Sequence, residues 1–181
     1  MSTDDDRHRP VFLSLGSNIE PERHLRRAVG ELARAFALDA VSRVYESEPV
    51  ASPGAPPFLN AAVRLRTPLS PRTLKLEHLR PLEERLGRRR GDDPNAPRTI
   101  DLDLSLVGAL VLSDPEARIE LPDPEILIHA HLARPLADLD PRFPHPLSGE
   151  TLGQIAARLA RDPGVRPRDD VKLVLPRPIR R

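Results

Sequence analysis

In the run Pro97-Arg98-Thr99-Ile100-Asp101-Leu102-Asp103-Leu104, apolar and polar residues alternate with the period of a β-strand. An extended segment sends Ile100, Leu102, Leu104 and Leu106 towards the core and Asp101 and Asp103 together to the other side, roughly 7 Å apart at their backbones. Two carboxylates so placed repel. Such a pair persists when water screens both charges or when a cation sits between them, and Arg98, three residues upstream of Asp101, adds an anion contact beside that cation site. The run reads as a metal and phosphate site carried on a strand.

The elements around this strand set the fold. Residues 11–15 alternate as a strand that stops at Gly16-Ser17-Asn18, and Pro21 opens a helix with the apolar stripe Leu25, Ala28, Val29, Leu32, Ala35 and Phe36. Residues 40–50 read as a second strand and 58–67 as a third, in which Leu59, Ala61, Val63 and Leu65 face one way. Ser70 caps and Pro71 starts a second helix, which buries Leu76, Leu79, Leu82 and Leu86, bends at Pro81 and stops at Gly87. The order β-α-β-β-α-β predicts an α+β fold of the ferredoxin-like kind: an antiparallel sheet with helices on one face and the active site on the other. Residues 105–160 add a short hairpin around Gly108, a proline-rich loop at 121–135 and a helix near 151–159. The expected organisation is a flexible tail at 1–10, one domain over 11–160 and a C-terminal tail at 161–181, with 171–175 as a candidate short strand.

Composition narrows the chemistry. At 181 residues the chain is long enough for one domain with a core of its own, and it has no cysteine, so disulfides, zinc knuckles and thiol nucleophiles are excluded. No stretch approaches the roughly 20 apolar residues of a membrane span, and the polar start carries no secretory signal, so a cytoplasmic protein is expected. The 28 basic and 27 acidic residues balance, which argues against a general nucleic-acid coat and moves attention to Arg88-Arg89-Arg90 and Arg98. The only lysines are Lys75 and Lys172, and no Walker-type phosphate loop occurs.

Alone, an Asp-x-Asp pair also fits a solvated strand, a glycosyltransferase or a metal-dependent nuclease. Hard oxygen ligands suit Mg²⁺, and two such ions about 4 Å apart can clamp a phosphoryl group while Arg88, Arg90 and Arg98 neutralise its charge. The triple arginine also fits a solvated helix end. Gly16-Ser17-Asn18 reads either as an anion-binding turn at a helix start or as an ordinary capped turn. Phe58 and Asn60 share a strand face, an aromatic plate beside an amide that suits a flat heterocycle. One rival reading is a nuclease or nucleotidyl transferase, for which a long basic groove is wanting. The other is an RNA-binding sheet, which needs several aromatics on its open face where only Phe58 and Tyr45 are at hand.

Leu-Gly-Ser-Asn at 15–18, Tyr45 to Pro49, Phe58-Leu59-Asn60-Ala61-Ala62-Val63, Leu82-Glu83 through Gly87-Arg88, and the run 97–104 together resemble the 6-hydroxymethyl-7,8-dihydropterin pyrophosphokinases of folate synthesis. The resemblance runs from about residue 11 to 150 and makes that stretch the pyrophosphokinase domain. It implies transfer of the β,γ-pyrophosphate of ATP to the pterin hydroxymethyl group with release of AMP, by a monomer that uses two Mg²⁺ ions and binds neither nucleic acid nor membrane. By position, Asp101 and Asp103 hold both ions, and Arg88 and Arg98 contact phosphates and act in catalysis. Glu83, Arg90 and Arg118 join Arg88 and Arg98 in the ATP site. Phe58 stacks on the pterin, Asn60 reads its polar edge, Ser47 and Val50 flank the pocket, and His131 takes the place of the second stacking aromatic. Asp123 stands where the family usually has a nucleotide-contacting histidine; His129 and Asn95 are further departures. Loops 51–57 and 88–97 are expected to close over ATP. Asp103 either accepts the hydroxyl proton or holds the metal that acidifies it.

Overall fold

The computed structural model describes residues 9–49, 54–91 and 96–175. From the N-terminus come β1 (Pro10–Ser17), α1 (Pro21–Ala35), β2 (Ala37–Val41), β3 (Tyr45–Ser47) and β4 (Phe58–Arg66). A bent helical segment follows, made of α2 (Pro71–Thr73), a π-helical turn (Leu74–Leu79) and α3 (Arg80–Arg85). Then come β5 (Asp101–Val107), β6 (Leu112–Asp114), β7 (Ile119–Leu121), a 3-10 turn (Pro124–Leu127), α4 (Ala130–Leu139), α5 (Leu152–Leu159) and β8 (Val165–Pro167). The main sheet runs β5-β1-β4-β3-β8, with β2 also on β4, and its pairings are antiparallel. β6 and β7 form a separate hairpin.

One face of the sheet is closed along its length. Val11, Leu13 and Leu15 of β1, Leu59, Val63 and Leu65 of β4, and Leu102 and Leu104 of β5 pack against Leu25, Val29 and Leu32 of α1 and against Leu79, Leu82 and Leu86 of the bent helix. Each such side chain, fully buried, contributes about 1.5–3 kcal/mol. Ser70 caps α2 by accepting the Thr73 N–H, as its position predicts. Pro81 has no N–H to give and its ring crowds the preceding turn. The helix responds by widening: the Arg80 N–H reaches the Lys75 carbonyl, a π-type bond that the expectation of a simple bend did not include.

The second face is covered too, which corrects the expectation of helices on one side only. Phe12, Ala62 and Leu106 point there and are buried by Ile126, Leu136 and Ile155 of the 3-10 turn, α4 and α5. Leu106 belongs to this face because the register slips between Phe12 and Leu13, whose β5 partners are Leu106 and Leu104. Ser105 is the extra residue of a β-bulge, so the alternation that sends Leu102 and Leu104 to the first face reverses before Leu106.

Other expectations shift for equally local reasons. The strand expected at 40–50 is two, because Ser42 leaves the strand line and its hydroxyl takes the Ala62 N–H (2.8 Å). The hairpin lies at 112–121 rather than at Gly108. The stretch 121–135 is not all loop: α4 begins at Ala130 and contains Pro135, with Leu132, Ala133, Leu136 and Leu139 buried at helical spacing. The added strand is β8 at Val165–Pro167 on the free edge of β3, whereas Val171 is buried in the first core without joining the sheet. No helix among the described residues is long and apolar enough to cross a membrane.

Candidate active site

On the second face the apolar patterning stops one residue pair beyond Phe12. The next rows across the sheet are Asp103, Ser14 and Ala62, then Asp101, Gly16 and Asn60. Here α4 still packs on β3, through Ala130 against Tyr45, and a cavity of about 490 Å³ opens beside it. Its floor is Ser14, Gly16, Asn60, Phe58 and Ser47; its walls are Arg98, Asp101, Asp103, Asp123, Glu125, His129 and His131. Gly16 matters because a Cβ there would stand 3.7 Å from Asn60 Oδ1 and 3.9 Å from Phe58 Cδ1, so its absence leaves open the space between them.

Each carboxylate at the β5 end has a cation. Asp101 pairs with Arg98 at 2.5 Å, and the Arg98 guanidinium also lies 5.5 Å from the Phe58 ring centre, joining the two ends of the cavity. Asp103 receives Lys75 Nζ at 3.3 Å. Burial, and then the neighbouring Asp101, nevertheless push the Asp103 carboxyl above its usual range. Burial pushes Asp123 up to about 6, with Glu125 and Asp103 adding to it while the Glu125 N–H and Lys75 pull the other way. Asp123 is held next to the bulge, its N–H donating to the Ser105 carbonyl at 2.9 Å.

Glu83 is almost wholly buried behind β5 and does not line the cavity. Its carboxylate accepts the Leu102 N–H (2.7 Å) and pairs with Arg90. Leu102 sits between the two aspartates on the edge strand, so Glu83 satisfies a donor the sheet leaves open and fixes the strand at that point. Burial pushes its own carboxyl up to about 7. Arg88 is half-buried outside the lining with its Nε unpaired, and burial holds its guanidinium below its ordinary range. The Arg118 side chain is exposed, and its backbone carbonyl accepts from Lys75 at 2.8 Å.

The Gly-Ser-Asn turn is neither an open anion site nor the cap of α1. The Asn18 and Ile19 N–H groups both donate to the Arg98 carbonyl (3.1 and 3.2 Å), and Asn18 Oδ1 accepts the Arg98 N–H at 2.7 Å. Ser17 Oγ donates to the Thr99 carbonyl at 2.6 Å. The turn latches the segment Arg98-Thr99, which leads into the aspartates of β5, onto the end of β1. The N-cap of α1 is Glu20, in left-handed backbone with φ 42°.

At the other end, Asn60 Nδ2 donates to Ser47 Oγ (2.9 Å) and to the Tyr45 carbonyl (3.3 Å), which leaves Oδ1 facing the cavity. The rings of His129 and His131 stack at 5.1 Å, and burial, with His129 adding, lowers His131 to about 4, so it is neutral at pH 7. Tyr45 is buried and donates its hydroxyl to Asp138 (2.9 Å), so it offers no aromatic surface to RNA. Val50 and Asn95, and with them parts of both loops expected to close, lie outside the described residues. Reading the sequence missed Lys75 and the latch of Asn18. The one signal for Lys75 was its rarity, two lysines among 28 basic residues.

Among the described residues no three His, Cys, Asp or Glu side chains gather as a metal cage. Two carboxylates open to a cavity still fit Mg²⁺, which keeps waters and binds one or two carboxylates plus substrate phosphates.

Residues 12–141 match the family described as 7,8-dihydro-6-hydroxymethylpterin-pyrophosphokinase. The 2-amino-4-hydroxy-6-hydroxymethyldihydropteridine pyrophosphokinase of Pseudomonas aeruginosa is 37% identical over 134 residues, covering 72% of this chain and 80% of that one. Its Bacillus subtilis counterpart is 35% identical over 132 residues, covering 71% and 77%. The folic acid synthesis protein fol1 of Pneumocystis carinii is 30% identical over 168 residues, and the chain spans 92% of itself but only 21% of that longer protein. A Plasmodium falciparum HPPK-DHPS crystal structure shares the fold at a TM-score of 0.62 and 11% identity, over 86% of this chain and 45% of that one. The chain belongs to the 7,8-dihydro-6-hydroxymethylpterin-pyrophosphokinase family, the ATP-dependent pyrophosphokinases of folate biosynthesis.

Proposed function

We propose that the cavity transfers the β,γ-pyrophosphate of ATP to the hydroxymethyl group of 6-hydroxymethyl-7,8-dihydropterin, releasing AMP, with Asp101 and Asp103 holding two Mg²⁺ ions. The observation that carries this reading is the row Asp101, Gly16, Asn60, which sets a carboxylate and a heterocycle-reading amide on one sheet face within one cavity. Bound there, Mg²⁺ would shield the phosphates and lower the charge that builds as the bond to the α-phosphate oxygen breaks.

The chain's own residues do the positioning. Phe58 and His131 offer plates for the pterin ring. Asn60, with its amide nitrogen already engaged, presents Oδ1 to a ring N–H, and Ser47 holds that orientation. Arg98, between Asp101 and Phe58, contacts the transferred phosphates where the two substrates meet. Arg88 and Arg90 follow α3 on the loop nearest β5 and add positive charge for ATP; Glu83 acts by fixing Leu102 and Arg90. Arg118 contributes through its carbonyl and through a side chain free to reach solvent-side phosphates. Catalysis of this kind needs alignment and charge neutralisation and no covalent intermediate.

The frame is read as ferredoxin-like, with residues 11–160 as the catalytic domain, extended by β8 and Val171, which pack on it from the segment that follows, and the cytoplasm as its setting. A monomer is the proposed state. The test is to mix protein, ATP, Mg²⁺ and the pterin and to separate AMP from ADP. Pterin-dependent AMP is the expected product. ADP, or AMP formed without pterin, contradicts the reading.

A further inference from the structure

We propose that Lys75 is the resident counter-ion of Asp103, so that the free protein binds divalent cations weakly at its carboxylate pair until a nucleotide brings one in. The inference rests on reading that pair as the metal site. Lys75 projects from the π-helical turn, and its Nζ donates to Asp103 Oδ1 (3.3 Å) and to the Arg118 carbonyl (2.8 Å). Arg118 holds a left-handed φ of 54° where the β6–β7 turn closes, and its carbonyl and the Asp103 carboxylate together enclose the ammonium, whose side chain is only 12% exposed. A lysine buried to that degree with two oxygen acceptors is placed, not solvated.

Charge decides what this placement does. Asp101 has Arg98, Glu83 has Arg90 and Asp103 has Lys75, so the β5 end is neutralised pair by pair before any metal arrives. A divalent cation on Asp103 would stand beside the ammonium and be repelled by it. ATP reverses the balance, because its phosphates supply negative charge for the metal and for Lys75 at once. Lysine suits such an exchange better than arginine: it is a compact charge on a flexible stem, without a bidentate fork to break.

The test uses Mn²⁺ as the probe, titrated by electron paramagnetic resonance into the full chain at pH 8 without nucleotide or pterin. Lys75→Met is expected to bind Mn²⁺ about tenfold more tightly than the parent. Lys75→Gln, which keeps a donor for the Arg118 carbonyl, should behave like Lys75→Met, and Lys75→Arg should stay near the parent. A purely structural lysine would leave Mn²⁺ affinity unchanged in every folded variant. Equal affinity in parent, Met and Gln variants, with Asp101→Asn weakening binding, overturns the role of Lys75 and leaves the metal site standing. Binding indifferent to Asp101→Asn overturns both.

Discussion

One face of the sheet is packed from end to end; the other is packed around Phe12 and again at Tyr45 and holds a cavity beside them. On the first, Leu, Val and Ala follow one another along β1, β4 and β5 under α1 and the bent helix. On the second, Phe12, Ala62 and Leu106 carry α4 and α5, and then the same strands present Ser14, Gly16, Asn60, Asp101 and Asp103 to a cavity. The two faces share one backbone. The packed face supplies rigidity and the cavity face carries the groups proposed for the reaction, so a change one residue along a strand should move from one kind of effect to the other.

The largest effect expected from disturbing that division is on turnover. Asp103→Asn keeps the shape and removes the charge, and should lower kcat about 1000-fold, or about 4 kcal/mol, in steady-state assays of AMP release. Next is the packed face: Leu13→Ala, fully buried, should cost about 2–5 kcal/mol in urea denaturation. Its neighbour Ser14→Ala should change stability by less than about 0.5 kcal/mol.

A third prediction sharpens the comparison by pH. His131 is neutral when folded because its pKa drops from 6.5 to about 4, so its contribution to stability is complete above pH 6.5 and is lost as pH falls towards 4. Asp123, raised to about 6, works in the opposite sense, stabilising as pH falls through 6 towards the ordinary aspartate value. The difference between parent and His131→Phe therefore isolates the histidine. It should reach about 3 kcal/mol between pH 7 and pH 4 in denaturation measured at both. The smallest effect belongs to Gly16→Ala. The added methyl meets Asn60 and Phe58 at ordinary contact distance and so leaves the fold intact, but it occupies ligand space and should raise the pterin KM about tenfold.

What the sequence made legible follows the same division. The packed face is written in period-two and period-3.6 patterns, and β1, α1, β4, the bent helix and β5 lie where those patterns place them. The carboxylate pair was legible for the same reason, since a strand must show Asp101 and Asp103 on one side. The cover of the second face was not: Pro135 masks the helical spacing of α4, and the bulge at Ser105 moves Leu106 across the sheet, which no alternation rule anticipates. Contacts that join distant segments were also silent, among them Glu83 to Leu102, Asn18 to Arg98 and Lys75 to Asp103.

The most direct test takes two adjacent residues on opposite faces and measures stability and turnover on both. Asp101→Asn should lose about 100-fold or more in turnover while its unfolding free energy stays within about 1 kcal/mol of the parent. Leu102→Ala should lose about 2–5 kcal/mol of stability while the folded fraction keeps its turnover within about tenfold. If instead both variants lose stability and activity in proportion, the two faces are not separate in function, and the assignment of Asp101 to the reaction is wrong.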